Sequence, residues 1–428
     1  MTDSFLTRLR ATKSKLILTF LLYFSFSVYG IGFSILSPTL LDIAEHLDKE
    51  IEDVAIGVVG RAISYALFAL VFGWGFTKMN RQIGFLLCFI FTGIVQLAVP
   101  FSSSLAMFIA LQVIIGATTS GIDVAGNAWL LEMWQEKANP FMQGMHFSYA
   151  IGMTISPILA APYLSKLVNV SSESQGHNRT LYSESSIWIP YSITTGILVF
   201  TGLVILVMYF IIPYRQGTRD QLISETREDT EPRKYRDYKL LILFGSLLMS
   251  FYTGLEMNCF SFLPDFAVFS RMNLSKETGA YMTSVMSAAF ALFRGVSILE
   301  ATKFSAKTMI SIHILMVCVG NGIIASAGYS GDVNVMWVGI AVIGSGMSCM
   351  FPTIYSYLEE RIEVTNFLTG ILVFSSAITS VVIPIIVGLA IKKLPMIFVY
   401  VNTFSLAVTL VVRMVLVYLD KRNVKTNE

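Results

Sequence analysis

The chain has 428 residues, of which 54% are hydrophobic and only 14% are charged, and its formal net charge is +2 at pH 7. Its apolar residues stand in long blocks instead of the short periodic faces of a soluble core, which excludes an ordinary soluble domain and places the chain among integral membrane proteins. A membrane-spanning helix needs roughly 20 mainly apolar residues, and the sequence contains twelve such blocks. They lie near residues 16–40, 54–77, 83–100, 105–133, 140–165, 187–213, 239–263, 279–301, 308–328, 334–358, 366–391 and 395–419.

The first block is longer than the core of a signal peptide and lacks a convincing cleavage site, so we expect it to be a retained first span. The basic stretch RLRATKSK that precedes it is expected to hold the N-terminus in the cytosol. With that start, most loop lysines and arginines fall on the cytosolic side, and the glycosylation sequons at Asn169, Asn178 and Asn273 fall in outer loops. The pattern predicts a multi-pass protein, expected in the plasma membrane, with both termini cytosolic.

The longest charged stretch separates the sixth and seventh blocks and predicts a cytosolic linker over 214–238. It divides the chain into an N-terminal six-helix bundle over 1–213 and a C-terminal six-helix bundle over 239–428. The stretch FSYAIGMTISPI in the fifth block matches FSSAITSVVIPI in the eleventh, which indicates an internal repeat. Gly116, Ser120 and Glu132 of the fourth block likewise recur as Gly344, Ser348 and Glu360 of the tenth. The predicted fold is therefore an all-α membrane protein with twelve transmembrane helices in two parallel six-helix repeats, a fold that places a solute between the repeats.

The fourth block carries polar side chains where a membrane span should be apolar. Asp123 lies near its middle, where a charged group costs roughly 2.5 to 3.5 kcal/mol on insertion scales and therefore normally faces a cavity. We interpret Asp123 as the group that couples a cation, against the alternative of a structural hydrogen-bonded carboxyl. Asn127 lies one turn further on the same face and is a candidate solute ligand, whereas Glu132 is expected at the inner boundary of the membrane. Trp129 is either an ordinary interfacial aromatic or a ring that stacks on a sugar.

Further candidates lie in other blocks. Glu256, the second mid-span carboxyl, either lines the pathway or braces a helix contact. Gln143 and His146 form a polar stripe on the fifth block that suits a hydroxyl-rich solute, although a lone histidine is more often a packing residue. Arg61 and Arg294 lie near the ends of their blocks and can snorkel, so both are expected to pack at the membrane interface.

The cysteines predict neither a metal site nor a loop disulfide, because all four lie within blocks and lack metal-ligand spacing. A phosphate-binding glycine loop is also missing from the sequence, which argues against ATP-driven transport. We therefore expect a protein that is not an enzyme and that has no metal, no organic cofactor and no nucleic-acid partner.

Several of these stretches resemble a known family. GIDVAGN is similar to the acidic-x-x-x-Asn motif of fucose:proton symporters, and FYTGLE is similar to their Y-x-G-x-E. The longer runs GIDVAGNAWLLEMW, MQGMHFSYAIGMTISPILAAPYL, FRGVSILEATKFSAKTMI and GSGMSCMFPTIYSYLE resemble sodium-dependent glucose transporter-like proteins of the major facilitator superfamily. The resemblance implies the major facilitator fold and sugar transport, with Asp123 in the position of the proton-carrying carboxyl. The sequence departs from the superfamily in the inner loop between the second and third blocks, which usually reads G-x-x-x-D-R. Here the loop is GWGFTKMNR, and Thr77 stands in place of the aspartate.

The expected function is transport of a sugar such as a hexose by alternating access, either passive or coupled to sodium or protons, by a monomer. One alternative is a carrier of another small organic solute, for example an organic anion, which would need a basic cavity. A second alternative is a receptor or scaffold that keeps the fold without transporting.

Overall fold

The computed structural model describes residues 2–76, 78–134, 138–170, 179–182, 185–213, 237–362 and 366–427. All twelve predicted blocks are helical, which confirms the all-α membrane class. Among the described residues, ten helices are long and apolar enough to cross a membrane. The two further blocks, the fifth and the eleventh, are the helices Ala138–Ala160 and Asn366–Ala390.

We number the spans 1 to 12 in chain order. Span 1 comprises the helices Thr2–Ser34 and Leu36–His46, and span 10 comprises Val333–Met347 and Met350–Glu359. Spans 2 to 9 are Ile51–Gly75, Arg81–Ala98, Leu105–Trp134, Ala138–Ala160, Trp188–Ile211, Tyr238–Phe269, Lys276–Glu300 and Ala306–Ser330, and spans 11 and 12 are Asn366–Ala390 and Ile397–Asn427. Short 3₁₀ turns at Val99–Phe101 and Ala161–Tyr163 follow spans 3 and 5, and the strands β1 (Leu167–Val170) and β2 (Arg179–Tyr182) pair antiparallel between spans 5 and 6.

Local sequence determines where several spans begin and end. The Asn80 side chain accepts the main-chain N–H of Gln82 at 2.9 Å and so caps span 3. Asp332 caps span 10 in the same way, with its Oδ1 accepting the N–H of Asn334 at 2.8 Å. Span 9 ends at Gly331, whose φ of 79° is a left-handed conformation that glycine adopts without a Cβ penalty. These capped ends give the spans defined lengths.

The two six-helix repeats make equivalent close contacts. A side chain at Gly116 in span 4 would collide with the main-chain carbonyl of Arg61 in span 2. A side chain at its counterpart Gly344 in span 10 would likewise collide with the main-chain carbonyl of Met286 in span 8. Small residues allow membrane helices to approach backbone to backbone. The duplicated glycines of the sequence therefore produce duplicated helix crossings.

The repeats meet where span 2 packs against span 11 and span 5 packs against span 8. We call the side that carries the chain termini the terminal face, and the side that carries the loop between spans 1 and 2 and the β1–β2 hairpin the distal face. Residues 214–236, which make up most of the predicted linker over 214–238, lie outside the described residues. Span 7 begins at Tyr238, the last residue of the predicted linker.

Candidate functional site

Asp123 is held by two side chains from the N-terminal repeat. The hydroxyl of Tyr65 in span 2 donates to its Oδ2 at 2.6 Å. The amide nitrogen of Asn127 donates to its Oδ1 at 2.8 Å and to its main-chain oxygen at 2.8 Å. All three groups lie in the interior, and Asp123 and Asn127 remain half-buried. The expected Asp123–Asn127 face is therefore present, and Tyr65 is a partner that the sequence did not indicate.

Span 5 brings its polar stripe to the same interior. The rings of His146 and Phe26 pack edge to face, with centroids 6.2 Å apart. Tyr149, one helical turn after His146, lies 4.9 Å from the ring of Tyr29. Gln143, His146 and Tyr149 are all half-buried, as expected for side chains that border a cavity.

The C-terminal repeat supplies a second polar group around Glu256. This half-buried carboxyl lies near the hydroxyl of Tyr252, which comes one turn earlier on span 7 and donates to the carbonyl of Met347. The guanidinium of Arg294 in span 8 interacts electrostatically with Glu256. Arg294 Nε also donates to the carbonyl of Ser348 at 3.0 Å, and the guanidinium lies 4.6 Å from the centre of the Phe290 ring.

Tyr149 stands where the two polar groups converge. Its hydroxyl lies in the neighbourhood of Arg61 and Asp123 of the N-terminal repeat and of Glu256 and Arg294 of the C-terminal repeat. Two carboxyl groups and two guanidiniums therefore lie near one interior region. Such an arrangement suits a neutral solute that carries many hydrogen-bonding groups.

The expectation that Arg61 and Arg294 snorkel to the interface was wrong. The Arg61 side chain is buried, donates to the carbonyl of Phe33 at 2.9 Å, and stacks on the Phe33 ring at 4.1 Å. Snorkelling requires that the charged head reach water, whereas the Arg61 head is buried and bonded to span 1. Arg294 is half-buried, and its Nε is bonded to a carbonyl of span 10. Proximity to a span end in the sequence did not reveal which way these side chains turn.

Trp129 lies in the core of the N-terminal repeat. Its side chain is fully buried, and its ring packs edge to face against Phe85 with centroids 6.0 Å apart. The ring therefore contributes to helix packing in this conformation, and we leave it out of the candidate site.

Other polar residues of the spans brace helices. Glu132 forms an ion pair with Arg81 at the terminal face, consistent with its expected place at the boundary. The amide of Asn258, next but one to Glu256 in the sequence, donates to Asn402 at 2.8 Å and ties span 7 to span 12. Both contacts join helices of a single repeat, which separates them from the polar groups that face the interior.

The distal face holds ion pairs that join the two repeats. The ammonium of Lys276, at the start of span 8, lies 2.7 Å from Glu45 Oε1 and 3.6 Å from Asp42 Oδ2, both at the end of span 1. It also donates to Ser165 Oγ at 2.7 Å. Lys276 and Asp42 are buried in this contact, whereas Glu45 is partly exposed.

Two more ion pairs cross between the repeats on this face, namely Lys166 with Glu277 and Lys392 with Glu50. On the terminal face, the ion pairs of Arg81 with Glu132 and of Arg361 with Asp420 join helices of the same repeat. This pattern corresponds to a molecule closed at the distal face.

The sequons divide between described and undescribed parts of the chain. Asn273 is exposed after span 7 on the distal face, in a left-handed conformation with φ of 46°. The main chain of Asn169 lies in β1, opposite Thr180 of β2. Asn178 and Thr77 lie outside the described residues.

Comparison with known proteins agrees with this architecture. The family model of the Major Facilitator Superfamily matches residues 22–384. The chain is 25% identical over 389 residues to sodium-dependent glucose transporter 1A of Mus musculus, covering 86% of this chain and 88% of that protein. It is 24% identical over 358 residues to sodium-dependent glucose transporter 1 of Xenopus laevis, covering 83% of this chain and 72% of that protein.

Solved structures share the fold at low sequence identity. The inward-open xylose transporter XylE from E. coli superposes with a TM-score of 0.70 at 11% identity, covering 93% of this chain and 95% of that chain. A single-substitution variant of the E. coli fucose:proton symporter FucP superposes with a TM-score of 0.58 at 14% identity, covering 94% of this chain and 99% of that chain.

Proposed function

Because the chain belongs to the Major Facilitator Superfamily, we propose that it is a secondary carrier that moves a sugar such as a hexose across a membrane by alternating access. Its relatives and structural neighbours are transporters, so the chain is a carrier and not an enzyme. Their names, which include glucose, xylose and fucose, support a sugar as the solute class.

The observation that carries the proposal is the convergence of polar groups from both repeats around Tyr149. A sugar loses many water contacts when it enters a midplane site, and each one left unreplaced costs ~1 to 3 kcal/mol. Asn127, Gln143 and His146 on one side, and Glu256 on the other, offer replacements. A solute that bridges both repeats links its own binding to their relative movement.

Asp123 is the proposed cation-coupling residue. Its two oxygens are bonded by Tyr65 and Asn127, and a bound proton or sodium ion competes with these donors for the same lone pairs. Cation binding therefore rearranges contacts between spans 2 and 4. This change of partners gives the coupling ion a route to the helix packing.

We propose a topology as well. The terminal face is cytosolic, the distal face with Asn273 is outside, and the membrane is the plasma membrane. In this orientation the ion pairs of Lys276 close the outer side, so the structure corresponds to an inward-facing carrier. The carrier works as a monomer.

The decisive experiment is uptake by proteoliposomes of a panel of labelled hexoses, with and without a sodium gradient and at two pH values. We expect accumulation of at least one sugar to depend on a cation gradient. Asp123→Asn keeps the shape of the side chain and removes its charge, so it should abolish accumulation while sparing sugar exchange. Full accumulation by a normally inserted Asp123→Asn protein contradicts the coupling role.

The same panel tests the alternatives. Arg61 and Arg294 both face the interior, which is the observation in favour of an anionic solute. Uptake of sugar acids but not of neutral sugars would establish that alternative. A scaffold that keeps the fold would give no flux with any solute.

A further inference from the structure

Span 10 is interrupted, and side chains from three other spans bind to the interruption. Its two helices end and begin at Met347 and Met350. The last carbonyls of a helix have no partner within that helix. Here the carbonyl of Gly346 lies 3.0 Å from Nδ1 of His313 in span 9, and the carbonyl of Ser348 accepts from Arg294 in span 8.

The carbonyl of Met347 is taken by a third side chain, because it accepts from the hydroxyl of Tyr252 in span 7. Tyr252 and Arg294 are also the two groups that lie against Glu256. The interruption of span 10 is therefore connected directly to the proposed solute site.

Three side chains with metal-binding atoms meet beside this interruption. They are Glu300 at the end of span 8, His313 in span 9 and Cys349 between the two helices of span 10. Their ligand atoms all lie within 4.8 Å of one another, and His313 Nε2 is 3.0 Å from Glu300 Oε2. His313 and Cys349 are buried, whereas the Glu300 side chain is 24% exposed and leaves a route from the terminal face.

The geometry of His313 prepares one nitrogen for a metal. A carbonyl oxygen can only accept a hydrogen bond, so Nδ1 carries a proton and donates to Gly346. That bond fixes the ring and leaves Nε2 facing Glu300. Metal-bound histidines characteristically donate their other ring N–H to a carbonyl or carboxylate in this way.

We propose that Glu300, His313 and Cys349 form a binding site for a divalent transition metal of the zinc class. Zinc takes thiolate, imidazole and carboxylate ligands at about 2.0 to 2.3 Å in tetrahedral geometry, which small movements of these side chains supply. Water would supply the fourth ligand. The thiolate disfavours magnesium and calcium, which take oxygen ligands.

Metal binding at this site would restrict the movement of span 10. A bound ion would displace the proton between His313 Nε2 and Glu300 and the thiol proton of Cys349, and both protons would be released to solvent. It thereby fastens the interruption of span 10 to spans 8 and 9. The cluster does not include Asp123, so the proposed metal is distinct from the proposed coupling ion.

Binding of Co²⁺ to the purified full-length protein in detergent tests the proposal without any transport measurement. A thiolate bound to Co²⁺ produces a charge-transfer band in the near ultraviolet, and we expect this band to saturate at one equivalent. Competition with Zn²⁺ should abolish it. Cys349→Ser should remove the band, and Glu300→Gln should weaken Co²⁺ binding by at least about tenfold.

Cys318→Ser is the matched control, because Cys318 lies on the same span as His313 but outside the cluster. It should bind Co²⁺ as the wild type does. Glu300→Gln keeps an acceptor for His313 at a partly exposed position, so we expect this variant to fold as the wild type does. A wild-type protein without the band would show that His313 and Glu300 form an ion pair and bind no metal. An unchanged band in Cys349→Ser would assign the thiolate to another cysteine, and either result overturns the proposal.

Discussion

The buried ion pair at Lys276 should control how often the distal face opens. Lys276→Met keeps the apolar stem and removes the ammonium that Glu45 and Asp42 share. The Asp42 carboxylate is then left buried, with the main-chain N–H of Ser165 at 2.8 Å as its remaining hydrogen bond. In the open state these groups are separated and exposed to water, so the substitution acts mainly on the closed state.

The magnitude follows from the burial of the partners. Breaking a buried pair by removing one partner costs ~3 to 5 kcal/mol. Glu45 is 36% exposed, and water can solvate it after the change. The lower end, ~3 kcal/mol, is therefore the better figure, and it corresponds to a change of about 150-fold in the ratio of closed to open molecules.

Lys166→Met is the matched control. Lys166 also joins the two repeats, at 3.2 Å from Glu277, but its side chain is 58% exposed. Exposed pairs contribute ~0.2 to 1 kcal/mol, which changes the same ratio by less than about sixfold. The two substitutions remove the same charge from neighbouring pairs and differ chiefly in burial.

The assay is a distance measurement by pulsed electron paramagnetic resonance. Spin labels at Lys49→Cys and Ser330→Cys report the separation of the repeats, because both positions are exposed on the distal face and belong to different repeats. Cys318, the least buried native cysteine, is replaced by serine. We expect a long-distance population in Lys276→Met that wild type lacks. An unchanged distance distribution in Lys276→Met, or a larger shift in Lys166→Met, would refute the role of the Lys276 ion pair in closing the distal face.

Three other predictions concern the solute site, the cation site and the topology. Asn127→Ala and Glu256→Gln should each weaken apparent sugar affinity in uptake titrations by about tenfold, or ~1.4 kcal/mol. Glu132→Gln, in the terminal-face ion pair, should change the affinity little. A larger loss of affinity with Glu132→Gln than with the other two would show that the sugar binds the other face of span 4. Tyr65→Phe removes the 2.6 Å hydrogen bond to the Asp123 carboxylate. The cation concentration for half-maximal uptake should change by roughly tenfold, as expected for the loss of a hydrogen bond to a charged group. An unaltered cation dependence would show that this hydroxyl takes no part in coupling. Asn273→Gln should lower the apparent mass on gels of protein made in cells that glycosylate, and glycosidase treatment should then lower the wild-type mass by at least as much. If the distal face is cytosolic, Asn273 will carry no glycan and the substitution will leave the mass unchanged.

Short-range features of the sequence were sufficient for the architecture. Twelve apolar blocks became twelve helical spans because hydropathy and length are properties of each segment by itself. The repeat was visible because matching glycines recur at corresponding positions, and Gly116 and Gly344 make equivalent helix crossings. Asp123 and Asn127 could be paired in advance because residues four apart in a helix are neighbours.

Tertiary packing decided what each of the remaining polar side chains touches. Arg61 and Arg294 turn inward because carbonyls of other spans accept their hydrogen bonds, and no spacing along the chain encodes that choice. Trp129 is enclosed by the packing of its own repeat. The cysteines lack metal-ligand spacing, yet Cys349 meets Glu300 and His313 because three separate spans converge at the interruption of span 10. Hydropathy depends on neighbours in the sequence, whereas a binding site depends on neighbours in space.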